Sequence, residues 1–199
     1  MTVLVTGGAG FIGSHVVDAL LAAGHAVVVF DDLSHGSRAN VDPRAELVVG
    51  SVTEPLAADL VSRRKPDAVV HLAAQIDVRR SVAAPVSDAQ VNVLGTVNQL
   101  KAAVDAGVRR FVFFSSGGAV YDESAPRPTP ETAELGPASP YGVSKLAAEY
   151  FVDAYRRRHG LATVVLRPAN VYGPRQDAEG EGGVVAIFSR TLLSGGTPV

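Results

Sequence analysis

The sequence predicts an α/β fold, a doubly wound parallel sheet with helices on both faces, and three observations predict it. Short apolar runs at 2 to 6, 26 to 30, 46 to 49, 67 to 72, 110 to 115 and 161 to 167 alternate with helical patterns along the chain. Runs such as Val27-Val28-Val29 are apolar on both sides, as strands sandwiched between two helical layers must be. The first run passes through a glycine turn, Thr6-Gly7-Gly8-Ala9-Gly10-Phe11-Ile12-Gly13, straight into an amphipathic stretch carrying Ile12, Val16 and Leu20.

The elements follow in order. Gly24 is a C′ residue for the first helix, and a short helix over 53 to 64 precedes Lys65-Pro66-Asp67. A long helix from 85 to 106 starts at Pro85 and ends at Gly107, with Val86, Val93, Val97, Leu100 and Val104 forming an apolar stripe spaced for burial. Ser139-Pro140 caps a helix that Gly160 closes. Between them, 122 to 138 holds Pro126, Pro128, Pro130 and Pro137 with few apolar residues, so a surface loop is expected. No linker or repeat divides the 199 residues, which are expected to form one domain.

The glycine turn sets the chemistry. Its three spaced glycines serve a turn with unusual dihedrals, a backbone close enough to touch a pyrophosphate, and tight packing of helix on strand. The helix N-terminus adds free N–H groups and a positive dipole end for phosphates. The second apolar run ends in Asp31-Asp32, placed for a carboxylate to accept from both hydroxyls of an adenosine ribose. That carboxylate repels a 2′-phosphate, and neither Asp32 nor Leu33 offers a cation, so the expected cofactor is NAD rather than NADP.

Composition narrows the alternatives. The chain is 47% hydrophobic and 19% charged with a net charge of -2, an ordinary globular balance with no broad attraction for nucleic acid or anionic membranes. Arg156-Arg157-Arg158 is basic but falls at a helix C-terminus, where cations complement the dipole. The absence of cysteine excludes disulfides and thiolate metal sites, and no metal site is expected. No apolar stretch is long enough to span a bilayer and the chain starts directly on a strand, so cytoplasm is the expected compartment.

Tyr141 and Lys145, four apart near a helix start, project from one face. A tyrosine abstracts a proton from a sugar hydroxyl near neutral pH only when its phenolate is stabilised, and a nearby ammonium lowers its pKa. The same lysine is placed to bind the nicotinamide ribose.

Together with Gly7-x-x-Gly10-x-x-Gly13, Asp31, His71-Leu72-Ala73-Ala74, Asn92, Ser115-Ser116 and Arg167-Pro168-Ala169-Asn170-Val171-Tyr172-Gly173-Pro174, this pair makes the chain resemble the extended short-chain dehydrogenase/reductase (NAD-dependent epimerase/dehydratase) family. Within it the resemblance is greatest to the UDP-glucose 4-epimerases. It implies a Rossmann fold and a hydride taken from C4 of a UDP-hexose and returned to the other face. Tyr141 is then the base, Lys145 its partner, and Asn170 meets the sugar nucleotide. The implied cofactor contacts are Gly7, Gly10, Phe11, Ile12 and Gly13 of the turn, Asp31, Ser51 and Val52, then Leu72, Ala73 and Ala74, Asn92, Ser115, Tyr141, Lys145 and Pro168. His71 is given no role beyond a strand-end histidine satisfied by backbone. The family also implies a homodimer paired through the 85 to 106 helix and the Tyr141 helix, whose outer faces keep Val97, Leu100, Leu146 and Tyr150 near polar residues.

Three departures qualify the match, and one further pair of positions discriminates within the family. The catalytic hydroxyl position four residues before Tyr121 is Gly117, so that role passes to Ser116. An acidic residue that meets the adenine amine is replaced by Ser51. The Asp-Glu pair that dehydratases place before the Val-Tyr turn is Gly118 and Ala119, which transfer no proton, so epimerisation is favoured over 4,6-dehydration or decarboxylation. Relatives continue for roughly another hundred residues, the size of a small added domain; residues 168 to 199 are expected to begin the substrate-binding part, with the 180 to 183 glycine turn holding part of the diphosphate. A truncated, non-catalytic NAD-binding module is the remaining alternative.

Overall fold

A computed structural model describes residues 1 to 178 and 183 to 198. The 180 to 183 turn, apart from Gly183, lies outside the described residues. The chain runs β1 (Thr2–Thr6), α1 (Phe11–Ala22), β2 (Ala26–Asp31), a 3-10 turn (Arg38–Asn40), β3 (Glu46–Val49), α2 (Pro55–Arg64), β4 (Ala68–His71), α3 (Val78–Ala83) and α4 (Pro85–Ala89). A π turn (Gln90–Leu94) leads to α5 (Gly95–Asp105), β5 (Arg110–Phe114), α6 (Gly117–Val120), α7 (Pro140–His159), β6 (Ala162–Leu166) and α8 (Val184–Leu193).

The six strands form one parallel sheet in the order β3-β2-β1-β4-β5-β6. Strand alternation sends side chains into two cores. Val3, Val5, Val27, Val29 and Val70 pack with Val17 of α1 on one face. Leu4, Phe30, Phe111 and Phe113 pack on the other with Leu60 of α2, Leu100 of α5 and Val152 of α7. Each such side chain, fully buried, stabilises the fold by about 1.5–3 kcal/mol. β6 sits at the sheet edge, and Val164 and Leu166 remain 52% and 40% exposed.

The helix ends are set locally. Gly24 (φ +79°) and Gly160 (φ +69°) take the left-handed conformation that closes α1 and α7. Ser139 Oγ accepts from Gly142 N, as the Ser-Pro pair predicts. The arginines ending α7 lie in solvent, where Arg156 and Arg157 pair with Asp153.

The 85 to 106 helix departs from expectation. The π turn inserts an extra residue per turn, so the apolar stripe does not continue through it. Leu100 is fully buried and Val93, Val97 and Val104 half-buried, whereas Val86 is 72% exposed. This also corrects the proposed pairing surface: Leu100 belongs to the core. The exposed apolar residues there are Val86, Leu94, Val143, Tyr150 and Phe151, with Val97 and Leu146 half-buried.

Candidate active site

The strand order reverses between β1 and β4, and the crevice at the carboxyl ends of these strands is where a doubly wound sheet takes its ligand. A cavity of about 320 Å³ opens there. Gly7 (φ +72°) donates its N–H to Phe30 O at 2.8 Å, and a Cβ on it would stand 2.7 Å from Ala73 N. A Cβ on Gly13 would stand 2.0 Å from Gly7 O. Only glycine fits either place, which leaves backbone as the cavity floor. α1 starts beside it with no side-chain cap and no acid in its first turn, so its N–H groups and dipole are kept for an anion.

Asp31 ends β2 at 7% exposure. Its Oδ2 accepts from Ala9 N at 2.9 Å and its Oδ1 from Leu33 N at 2.8 Å. Those bonds fix the carboxylate on the cavity wall, and each oxygen keeps a lone pair for a diol. The floor without Cβ atoms, the open helix N-terminus and this carboxylate fit an adenine dinucleotide.

At the other end α7 brings Tyr141 and Lys145 together, the ammonium 5.9 Å from the phenol ring centroid. Lys145 is 4% exposed and donates to Phe114 O at 2.9 Å. Burial pushes its pKa down to about 8, opposed by the carboxylates of Asp88 and Glu149. Burial holds the Tyr141 phenol above its ordinary value, the Ser116 hydroxyl opposing and Asp88 adding to the rise. The expected lowering of Tyr141 by Lys145 is therefore not what the geometry delivers: the ammonium is bonded to a carbonyl, and the phenol's hydroxyl neighbour is Ser116.

Most expected residues meet at this cavity. Gly7, Gly10, Phe11, Ile12, Gly13, Asp31, Val52, Leu72, Ala73, Ala74, Ser115, Tyr141, Lys145 and Pro168 line it. Ser116 stands behind Tyr141 rather than on the wall. Ser51 bonds Thr53 and Glu54 while its neighbours Gly50 and Val52 face the cavity. Asn170 is exposed and off the wall.

Asn92 is 2% exposed, and its amide is spent within the protein. Oδ1 accepts from Gln75 N at 2.9 Å, and Nδ2 donates to Gln75 O and Asp88 Oδ1 at 2.9 and 3.0 Å. It shapes the 72 to 77 loop from behind. His71 likewise differs from expectation: its ring nitrogens bond the hydroxyls of Thr6 and Thr96 at 2.7 and 3.0 Å, not backbone.

Sequence reasoning missed a second buried network. Glu149, one turn beyond Lys145, accepts from Ser115 Oγ and from Arg167 in a two-pronged pair, closest approach 2.6 Å. Arg167 also donates to Tyr121 Oη at 2.9 Å and lies over its ring. Ser115 and Arg167 thus converge on one carboxylate, and Arg167 carries the network on to Tyr121. Among the described residues no group of His, Asp and Glu could hold a metal ion.

This fold and site define a dinucleotide-binding Rossmann domain carrying a tyrosine–lysine pair of the short-chain dehydrogenase type. The family model for the NAD dependent epimerase/dehydratase family matches residues 3–199, and the chain belongs to that family; NAD is the cofactor to which the cavity corresponds. The chain is 50% identical, over 99% of its length, to a UDP-glucose 4-epimerase of Mycolicibacterium smegmatis, of which it covers 64%. It is similar to the crystal structure of a Thermotoga maritima UDP-glucose 4-epimerase with UDP-glucose (TM-score 0.96, 46% identity, 98% of this chain and 64% of that one). It is also similar to a Thermus thermophilus UDP-glucose 4-epimerase complexed with NAD (TM-score 0.93, 46% identity, 100% and 64%). A dTDP-glucose 4,6-dehydratase of Streptomyces antibioticus is 39% identical over 98% of this chain and 60% of its own length. The chain spans 64% of the length of the Mycolicibacterium smegmatis and Thermotoga maritima epimerases.

Proposed function

We propose that this chain is the cofactor-binding and catalytic part of an NAD-dependent sugar-nucleotide 4-epimerase acting on UDP-glucose and UDP-galactose. The observation that carries the reading is the placement of Tyr141 and Lys145 at one end of the cavity, with the Ser116 hydroxyl bonded to the phenol and only Gly118 and Ala119 where a dehydratase needs its acid and base. Bound NAD supplies the hydride acceptor, and then donor, at the sugar C4. Tyr141 takes the O4 proton and returns it to the same oxygen, so a single protein acid–base group serves both half-reactions. Lys145 stands with its ammonium 5.9 Å from the Tyr141 ring centroid, and Asn170 is assigned to the sugar nucleotide by resemblance to the family alone.

A test is to supply the protein with NAD and UDP-galactose and follow UDP-glucose formation. Release of a 4-keto-6-deoxy sugar nucleotide instead would assign the chain to the dehydratases. We expect the 199 residues alone to bind NAD yet to epimerise poorly beside a chain extended by a family-like C-terminal part. Correct placement supplies roughly 7 to 11 kcal/mol of barrier reduction, and Asn170 is exposed and off the cavity wall. That exposure also favours the second reading, an NAD-binding module without turnover. Equal rates for the short and extended chains would show that the substrate site is misplaced here.

The proposal includes a cytoplasmic homodimer. Val86 of α4, Leu94 at the end of the π turn and Val143, Tyr150 and Phe151 of α7 are exposed apolar side chains on the two helical segments, and no helix among the described residues is long and apolar enough to cross a membrane. Light scattering at micromolar concentration should read twice the chain mass; a monomer would remove the dimer.

A further inference from the structure

Two Lys or Arg side chains line the cofactor cavity, and they differ in what they are bonded to. Lys145 is buried and donates to Phe114 O. Arg80 lies on α3, just past the loop that leaves β4, and is exposed on the cavity wall. Its backbone N–H bonds the capping carboxylate of Asp77, but its guanidinium makes no hydrogen bond or ion pair with any described residue.

The sheet order says what passes this guanidinium. Asp31 at the end of β2 holds the adenosine ribose, and Tyr141 and Lys145 stand on the β5 side, where the nicotinamide half belongs. A dinucleotide joining these two ends crosses β1 and β4, and its midpoint is the diphosphate. The turn after β1 meets that midpoint with N–H groups and a helix dipole equal to roughly half a charge. The diphosphate carries two negative charges, and Asp31 and Asp32 add negative charge to the same cavity. The loop after β4 flanks the crevice from the other strand, and Arg80 is the full positive charge on that side.

We propose that Arg80 is a diphosphate-binding residue for the dinucleotide, its planar fork of donors closing on the phosphate oxygens from the β4 side while the glycine turn holds them from the β1 side. The proposal rests on NAD as the cofactor. It explains an arginine left unpaired on the wall of a cavity that also holds Asp31 and Asp32. It concerns the dinucleotide diphosphate alone; Ser81, the next residue of α3, accepts from Tyr141 N at 3.1 Å, so UDP is included in the test to separate a role toward the sugar nucleotide.

Calorimetric titration of the wild type and of Arg80→Met with NAD, ADP, adenosine and UDP tests it. The variant should bind NAD and ADP at least about tenfold more weakly, as the loss of one charge-assisted contact to phosphate implies. Adenosine and UDP should bind as before, and the salt dependence of NAD binding should flatten. Arg80→Lys should recover part of the loss. An unchanged NAD affinity overturns the proposal while leaving the cofactor assignment intact. Equal weakening of adenosine overturns it in favour of a role in shaping the 72 to 77 loop, and weakening of UDP alone in favour of the sugar nucleotide. A wild type that binds neither NAD nor ADP removes the cofactor reading itself.

Discussion

Replacing Lys145 with methionine should make the cofactor-free protein more stable near neutral pH while removing its use. The ammonium is 4% exposed and its pKa is pushed from 10.5 down to about 8, chiefly by burial. At pH 7 the residue is charged in both folded and unfolded chains, and the folded chain bears the whole penalty. At about 1.4 kcal/mol per pKa unit that penalty is about 3 kcal/mol. Against it stands the bond to Phe114 O, worth about 1 kcal/mol. Lys145→Met should therefore raise unfolding free energy by about 2 kcal/mol at pH 7. The gain has a set pH course. A base whose folded pKa is lowered destabilises fully below that value, and the penalty disappears as pH rises from about 8 towards 10.5. By pH 10 less than about 1 kcal/mol remains, and the variant loses its advantage. Urea unfolding of both proteins at pH 7, 8.5 and 10 measures this. A wild-type-to-variant difference that stays constant across the series would refute the reasoning, because burial of a charge would then not be its source.

Asp31→Ala should weaken NAD by about tenfold or more through loss of the ribose contacts and should narrow the preference for NAD over NADP, both read by titration calorimetry; equal wild-type affinities for the two cofactors would sink the assignment. Gly13→Ala forces a Cβ to within 2.0 Å of Gly7 O, a backbone atom with nowhere to move. It should cost about 3 kcal/mol and distort the turn, and a thermal midpoint and NAD affinity both unchanged would contradict the packing described. Glu149→Ala leaves Arg167 and Ser115 without their shared acceptor. Because the Arg167 side chain keeps 20% exposure, the loss should be about 2–3 kcal/mol, at the low end for a buried pair, and a smaller loss than about 1 kcal/mol by urea unfolding would show the pair to be superficial.

What the sequence showed and what it hid divide along the range of the interactions. The six strands, the glycine turn and the Tyr141–Lys145 pair are written in spacings of two to four residues, and each appears near its expected bounds. Asp31 stands on the cavity wall, a position legible from a carboxylate that ends the second apolar run. Asn92 was legible as a position but not in its work, because its partner Gln75 is 17 residues away and the amide faces the loop from behind. The π turn shifted Val86 to the surface, and no periodicity announces an added residue inside a helix. Leu100 fell to the core because α5 packs against α2 and α7, a tertiary fact. The Glu149–Arg167 pair joins a helix to a strand end, and the i+4 step from Lys145 to Glu149, on the same helical face, was its one sequence signal.

His71 gives the fold an acid limit. The ring lies at 1% exposure between the hydroxyls of Thr6 and Thr96, tilted over Phe111 and stacked on Phe113, whose face also lies 5.1 Å from the Lys145 ammonium. Burial first, and the Lys145 charge second, push its pKa down to about 3. The interior beneath the site therefore accommodates one cation, and Lys145 is that cation. Below about pH 6.5 the unfolded chain takes up a proton that the folded one refuses, so about 4 kcal/mol of stability drains away by pH 3, a decline that acid titration of the circular dichroism would trace. That is much of the stability of an ordinary domain. A residue without a chemical step of its own thus sets how far towards acid the whole molecule can be taken.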